Sequence, residues 1–150
     1  MTAIDLSAYV NEAWTVCDFC GSEMRTKETA LQGKIFFYKN EEIKMTYFAC
    51  ENCGAVYVIG FENADTFKTL QDVYERRSRY ASAVKRNMSE RALRRLLKAS
   101  NKSLEKHKQT YNALQDRLRH LRPLFNNIDD VNAIGDKLDL DEENNTKEGA

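Results

Sequence analysis

The chain has 150 residues, 42% of them hydrophobic and 31% charged, with 23 Lys/Arg balanced by 23 Asp/Glu. That size supports one ordinary domain, or one small domain with an extension. The longest apolar run, Ala55–Phe61, falls far short of the ~20 residues of a membrane helix, and the N-terminus carries Asp5 and Glu12 where a secretory signal would be basic and then apolar, so a cytoplasmic protein without membrane association is expected.

The balanced total hides three electrostatic regions. Residues 1–63 hold five Lys/Arg against nine Asp/Glu, residues 64–125 sixteen against six, and residues 126–150 two against eight. They coincide with three expected structural regions: a metal-bound head over 1–62, a basic helical hairpin or coiled coil over 63–125, and an acidic, disordered tail over 126–150. The fold class is thus α+β, a small antiparallel zinc ribbon followed by a long basic stalk.

In chain order, Asp5–Trp14 reads as a short helix or lead-in with Leu6, Tyr9, Val10, Ala13 and Trp14 on one side. Cys17-Asp18-Phe19-Cys20-Gly21 follows, and Cys50-Glu51-Asn52-Cys53-Gly54 repeats its pattern. Between them, KIFFYK and IKMTYFAC are strands flanking a turn at Asn40-Glu41-Glu42, and AVYVIGF after the second pair is a third strand.

All four cysteines sit in those two Cys-x-x-Cys-Gly turns. Each turn brings two thiolates to one ion, and two turns complete a tetrahedral sulfur site for a structural Zn²⁺ held by Cys17, Cys20, Cys50 and Cys53. Glycines after each pair suit a backbone that must turn back with positive φ. Four sulfurs leave no position for water or substrate, so Lewis-acid catalysis is disfavoured. The metal also explains how fewer than fifty residues form a stable sheet.

MTYFACENCGAVYVI, an aromatic strand entering the second knuckle and another leaving it, followed by a charged helical region, resembles a family of small zinc-ribbon proteins carried by bacteriophages and mobile elements of Gram-positive bacteria. The resemblance rests on the four cysteines, Gly54 and Tyr57, and covers Cys17 to about Lys108 as architecture. It implies a zinc-ribbon head on a coiled-coil stalk and a bacterial cytoplasm as the setting. It brings no activity with it.

Between Gly60 and Pro123 there is neither Gly nor Pro. Asp65 is a fair N-cap for a helix with Phe67, Leu70, Val73, Tyr74, Tyr80, Ala81 and Val84 at helical spacing. The phase breaks near Asn87, which with Glu90 resembles a capping box. A second helix then carries Leu93, Leu97, Ser100, Leu104, His107, Tyr111, Leu114, Leu118, Leu121, Phe125 and Ile128 at alternating steps of four and three. The reading is an antiparallel hairpin of about 65–86 against about 88–121, with one bent helix as the rival. His107 in the seam reads as a polar layer that sets register. Tyr111 to Leu121 outrun the shorter first helix and must cover the head or a second copy in a homodimer.

No phosphate loop, nucleophile elbow or catalytic carboxylate pair is present, and the two histidines lie thirteen residues apart, so an enzyme is not expected. The basic stretch is the more informative feature. Arg91, Arg94, Arg95, Lys98 and Lys102 fall on one helix face, and Arg76, Arg77, Arg79, Lys85 and Arg86 add charge on the first helix. A solvated helix ordinarily mixes signs to gain i,i+4 pairs. This stretch points instead to an anionic partner, nucleic acid or a nucleoprotein machine, with an acidic protein surface as the alternative. The expected function is that of a mobile-element regulator, or of an inhibitor or adaptor docking on a host protein.

Overall fold

The computed structural model describes residues 14–25 and 31–138. The expected helix over Asp5–Trp14 lies almost wholly outside them, as does the tail beyond residue 138. The fold is mixed α and β, and the chain divides into two compact units, residues 1–60 with 120–150, and residues 61–119.

The first unit begins with two three-residue strands, β1 (Trp14–Val16) and β2 (Glu23–Arg25), paired antiparallel on either side of the first Cys-x-x-Cys turn. A three-stranded sheet follows in the order β3-β4-β5, with β3 at Gln32–Tyr38, β4 at Glu41–Ala49 and β5 at Val56–Glu62. In the antiparallel β3–β4 pair, side chains alternate as the pleat requires: Phe36, Tyr38, Ile43, Met45 and Tyr47 are buried, while Ile35, Phe37, Glu42 and Lys44 face outward. The turn is Lys39-Asn40, one position earlier than the sequence suggests. Both residues have positive φ (49° and 63°), the two-residue turn whose twist matches the strands it joins.

The stretch from 126 onward, expected to be disordered, is ordered as far as residue 138. It covers both edges of the sheet. Val56 N–H donates to the Asn126 carbonyl (3.0 Å) beside an antiparallel Ala55–Asn127 bridge, and at the other edge, beside a parallel Phe37–Lys137 bridge, Phe37 N–H donates to the Asp136 carbonyl (2.8 Å) and Leu138 N–H to the Phe37 carbonyl (2.9 Å). Unpaired strand edges carry backbone donors and acceptors that any extended segment can satisfy. Between the two edges lies a short helix, α3 (Ile128–Ala133), capped by Asn127 and Asp130; α1 and α2 are the two helices of the second unit, given below. A 3₁₀ turn over Arg119–Leu124 precedes it and delivers Leu121, fully buried, with Phe125 against Phe36 at 6.2 Å between ring centres. His120 Nε2 meets the buried Tyr38 hydroxyl at 2.9 Å, and Arg122 donates to the Val58 carbonyl at 2.9 Å.

The second unit consists mainly of two helices, α1 (Ala64–Lys85) and α2 (Glu90–Arg117). Asn63, not Asp65, caps α1: its side chain accepts from Thr66 N–H while the Thr66 hydroxyl accepts from Asn63 N–H, both at 2.9 Å. Asn87 does not cap α2. It stands in the left-handed region (φ 54°) just past α1, where its N–H bonds the Val84 carbonyl and that of Met88 bonds Ala83, the paired bonds of a Schellman ending. Ser89 caps α2 instead, accepting from Ala92 N–H.

The helices form an antiparallel hairpin rather than one bent helix. Partners descend α2 as they ascend α1: Phe61 with Gln115, Thr69 with His107, Asp72 with Ser103. Much of the interface is polar. Thr66, Ser100 and Ser103 are buried, whereas Leu97, expected in the seam, is 42% exposed. Ser103 donates to the Asp72 carboxylate (2.5 Å), which Arg76 grips through both oxygens. These two partners hold the Asp72 carboxyl below its ordinary value. Thr69 spends its hydroxyl proton on the Thr66 carbonyl, so His107 Nδ1 must donate to it (2.8 Å), which fixes the histidine tautomer. His107 is thus a hydrogen-bonded register layer. Leu114, Leu118 and Leu121, expected to cover either the head or a second copy, are buried within the single chain (4%, 0% and 0% exposed), which removes the premise of a homodimer through Tyr111–Leu121.

Candidate metal centre and basic helix face

The two Cys-x-x-Cys turns are built alike. In each, the N–H of the closing glycine bonds the first cysteine's carbonyl at 2.8 Å (Gly21 to Cys17, Gly54 to Cys50), and the first cysteine's own N–H bonds the residue that follows that glycine (Ser22 and Ala55). Gly21 and Gly54 have φ of 74° and 77°, where a side chain costs about 1–2 kcal/mol. Gly54 has a second reason to be glycine: a Cβ there would stand 3.1 Å from both Asn127 and Ile128. The C-terminal segment is therefore seated on the second knuckle, where Asn127 donates to the Cys53 carbonyl (3.1 Å) and Ile128 N–H to that of Gly54 (2.7 Å).

All four sulfurs lie within 4.8 Å of one another, with Cys17–Cys53 at 3.6 Å and Cys20–Cys50 at 3.8 Å. A disulfide needs about 2.05 Å. A tetrahedral ion with metal–sulfur bonds of about 2.3 Å sets sulfur–sulfur edges of about 3.8 Å. The four cysteines therefore form a candidate metal site of the right size for one tetrahedral ion.

The surroundings favour thiolates unequally. Cys20 is drawn down to about 5 by hydrogen bonds from the Asn52 amide, at 3.5 Å, and from Ser22. Cys17 is lowered by the Tyr57 hydroxyl, which donates to its sulfur at 3.4 Å and accepts from Asp18 N–H at 2.9 Å. Cys53 gains from the Ala55 N–H, yet burial and the neighbouring sulfurs push it up to about 12. Four negative sulfurs so close repel one another, and a dication is the partner that lets all four ionise. Tyr57 itself is raised to about 12 by its bond to Cys17 and is stacked on Phe48, with 4.9 Å between ring centres.

The sequence singled out the four cysteines and missed Asn52 and Ser22, whose side chains also bond each other at 2.9 Å. Asn52 occupies an x position of its Cys-x-x-Cys, a place where a polar residue is the available signal. Phe19, at the tip of the first turn, is 69% exposed, edge-on to Tyr57.

On the second unit, the basic residues lie along α1 and α2 and just past the end of α1, and they are less uniformly unpaired than the sequence suggests. Arg76 is engaged by Asp72 at 3.1 Å and Arg94 by Glu90 at 2.5 Å. Arg77, Arg79, Lys85, Arg86, Arg91, Arg95, Lys98 and Lys102 are exposed and, among the described residues, form no ion pair. Residues 61–119 carry fifteen Lys/Arg against seven Asp/Glu, a net of +8. Arg91, Arg95, Lys98 and Lys102 lie on the side of α2 opposite the buried Ser100 and Ser103. No helix among the described residues is long and apolar enough to cross a membrane.

No protein-family description matches this chain, and no curated protein or solved structure matches it.

Proposed function

We propose that the chain is a non-enzymatic zinc-ribbon protein whose basic helices bind nucleic acid, alone or within a nucleoprotein machine. The zinc reading is supported by the sulfur spacing and by the matched knuckles. With all four sulfurs on the ion its shell is closed, so its contribution is to hold the head together. The hairpin, read as a coiled-coil stalk with a polar seam, presents the binding face.

The observation that carries this reading is the run of unpaired cations at Arg91, Arg95, Lys98 and Lys102. Their steps of four and three residues place them on one solvent-facing line of about 16 Å along α2. Exposed like charges repel one another unless an anionic surface meets them, and a phosphate backbone supplies regularly spaced charge.

Fluorescence anisotropy with labelled duplex and single-stranded oligonucleotides over a salt series tests it. Four phosphate contacts predict a slope of log K against log salt of about −3.6 on duplex DNA. Replacing Arg91, Arg95, Lys98 and Lys102 with glutamine should abolish that dependence. A wild-type protein that ignores both probes at low salt removes the nucleic-acid reading. Docking on a protein then takes its place, a second reading that exposed Phe19 on the first knuckle favours.

A further inference from the structure

The hairpin uses only one side of α1. Thr66, Val73 and Ala83 are buried, and Thr69 and Asp72 bond α2. A second seam runs along another side, through Phe67, Leu70, Tyr74, Arg77, Ala81 and Val84, again at alternating steps of three and four. Phe67 and Tyr74 are each 60% exposed and Val84 46%; Arg77 and Ala81 are exposed and Leu70 is half-buried. Alternating 3-4 spacing of large apolar groups is the pattern by which one helix packs on another, and here nothing among the described residues covers it.

We infer that this seam is covered by α1 of a second copy, running antiparallel about a two-fold axis between Glu75 and Arg76. In an antiparallel pair the two kinds of seam position face each other, and here each such pairing is complementary. Phe67 meets Val84 of the second copy, Leu70 meets its Ala81, and Tyr74 meets its Arg77. The two-fold repeats all three contacts. In the outer two layers the bulkier side chain faces the smaller one, so the layers fill without crowding. In the central layer an exposed arginine lies over an exposed aromatic ring, an attraction that strengthens as the pair is desolvated.

Charge selects the same orientation. The first half of α1, residues 64–75, holds Asp65, Asp72 and Glu75 against Lys68, a net of −2. The second half, residues 76–85, holds Arg76, Arg77, Arg79 and Lys85 and no acid, a net of +4. Antiparallel pairing sets the negative half of each helix beside the positive half of the other, whereas parallel pairing stacks the positive halves together. The interface leaves Arg91, Arg95, Lys98 and Lys102 on α2 outside it, so the inference stands independently of what those residues bind.

Sedimentation equilibrium of the full chain, with the metal supplied, tests this at concentrations up to about 100 μM. The wild type should form a dimer. Tyr74→Lys sets a lysine against Arg77 of the second copy, and Arg77→Glu removes the cation from the ring; each should weaken dimerisation at least about tenfold. Both positions are exposed in the single chain, so helicity and melting of the monomer should be unchanged. An equimolar mixture of the two variants should recover the dimer, because the introduced lysine then faces the introduced glutamate while the other Tyr–Arg contact stays intact. A wild-type monomer at the top concentration overturns the inference. So does a dimer that neither substitution weakens, or a pair of weakened variants that mixing fails to restore.

Discussion

Replacing Cys50 with serine is the most direct probe of the head. Cys50 is 3% exposed, its sulfur stands 3.8 Å from that of Cys20, and its backbone anchors the second turn through bonds to Gly54 and Ala55. Structural zinc sites in small domains bind with about 10–16 kcal/mol. Shared over four ligands, one thiolate contributes roughly 2.5–4 kcal/mol, so its loss should weaken zinc by about 10²- to 10³-fold. A serine hydroxyl stays protonated at neutral pH and does not replace it. Competition with a chromophoric chelator measures the affinity, and Co²⁺ substitution reports whether the remaining sulfurs still form a tetrahedral site. The wild type should bind one ion per chain and lose the folded head when the ion is stripped. A wild-type head that melts identically with and without chelator, or a Cys50→Ser protein that binds zinc as tightly as the wild type, would refute the argument.

Tyr57→Phe removes the hydroxyl that donates to Cys17 and accepts from Asp18, and should weaken zinc by about 10- to 100-fold in the same chelator assay while the fold is retained. Gly54→Ala combines the cost of positive φ with the 3.1 Å approach of Asn127 and Ile128, and should lower the melting temperature of the head and loosen residues 126–128, read by hydrogen exchange. Leu118→Ala empties a fully buried position and should cost about 2–5 kcal/mol in denaturant unfolding; Leu118→Lys should prevent folding rather than yield a smaller soluble species. Asp72, lowered by Ser103 and Arg76, contributes stability that is complete above the unfolded carboxyl value of about 3.9 and is lost as pH falls through its lower folded value. Asp72→Asn should remove that part of the acid-side decline, measured as helix melting against pH.

Local chemistry made much of this chain legible from its sequence. A Cys-x-x-Cys-Gly turn requires the same few residues wherever it occurs, so the four sulfurs and both positive-φ glycines could be placed before any fold was known. Strand alternation in KIFFYK and IKMTYFAC, the helix-forming run without Gly or Pro, and the break near Asn87 are likewise properties of short windows. The tertiary structure decided what those windows leave open. β1 and β2 are three residues each, too short to show a period, and they pair because the first knuckle holds their ends together. The α1–α2 seam runs through Thr66, Asp72, Ser103 and His107 because polar groups that satisfy one another across it fix register as well as leucines do, and hydropathy does not show a hydrogen bond. The acidic segment from 126 looked unable to fold because its apolar residues are few. As far as residue 138 it is ordered through backbone bonds to both edges of the sheet and through the buried side chains of Val131 and Ile134, a pairing that depends on exposed strand edges far away in the sequence.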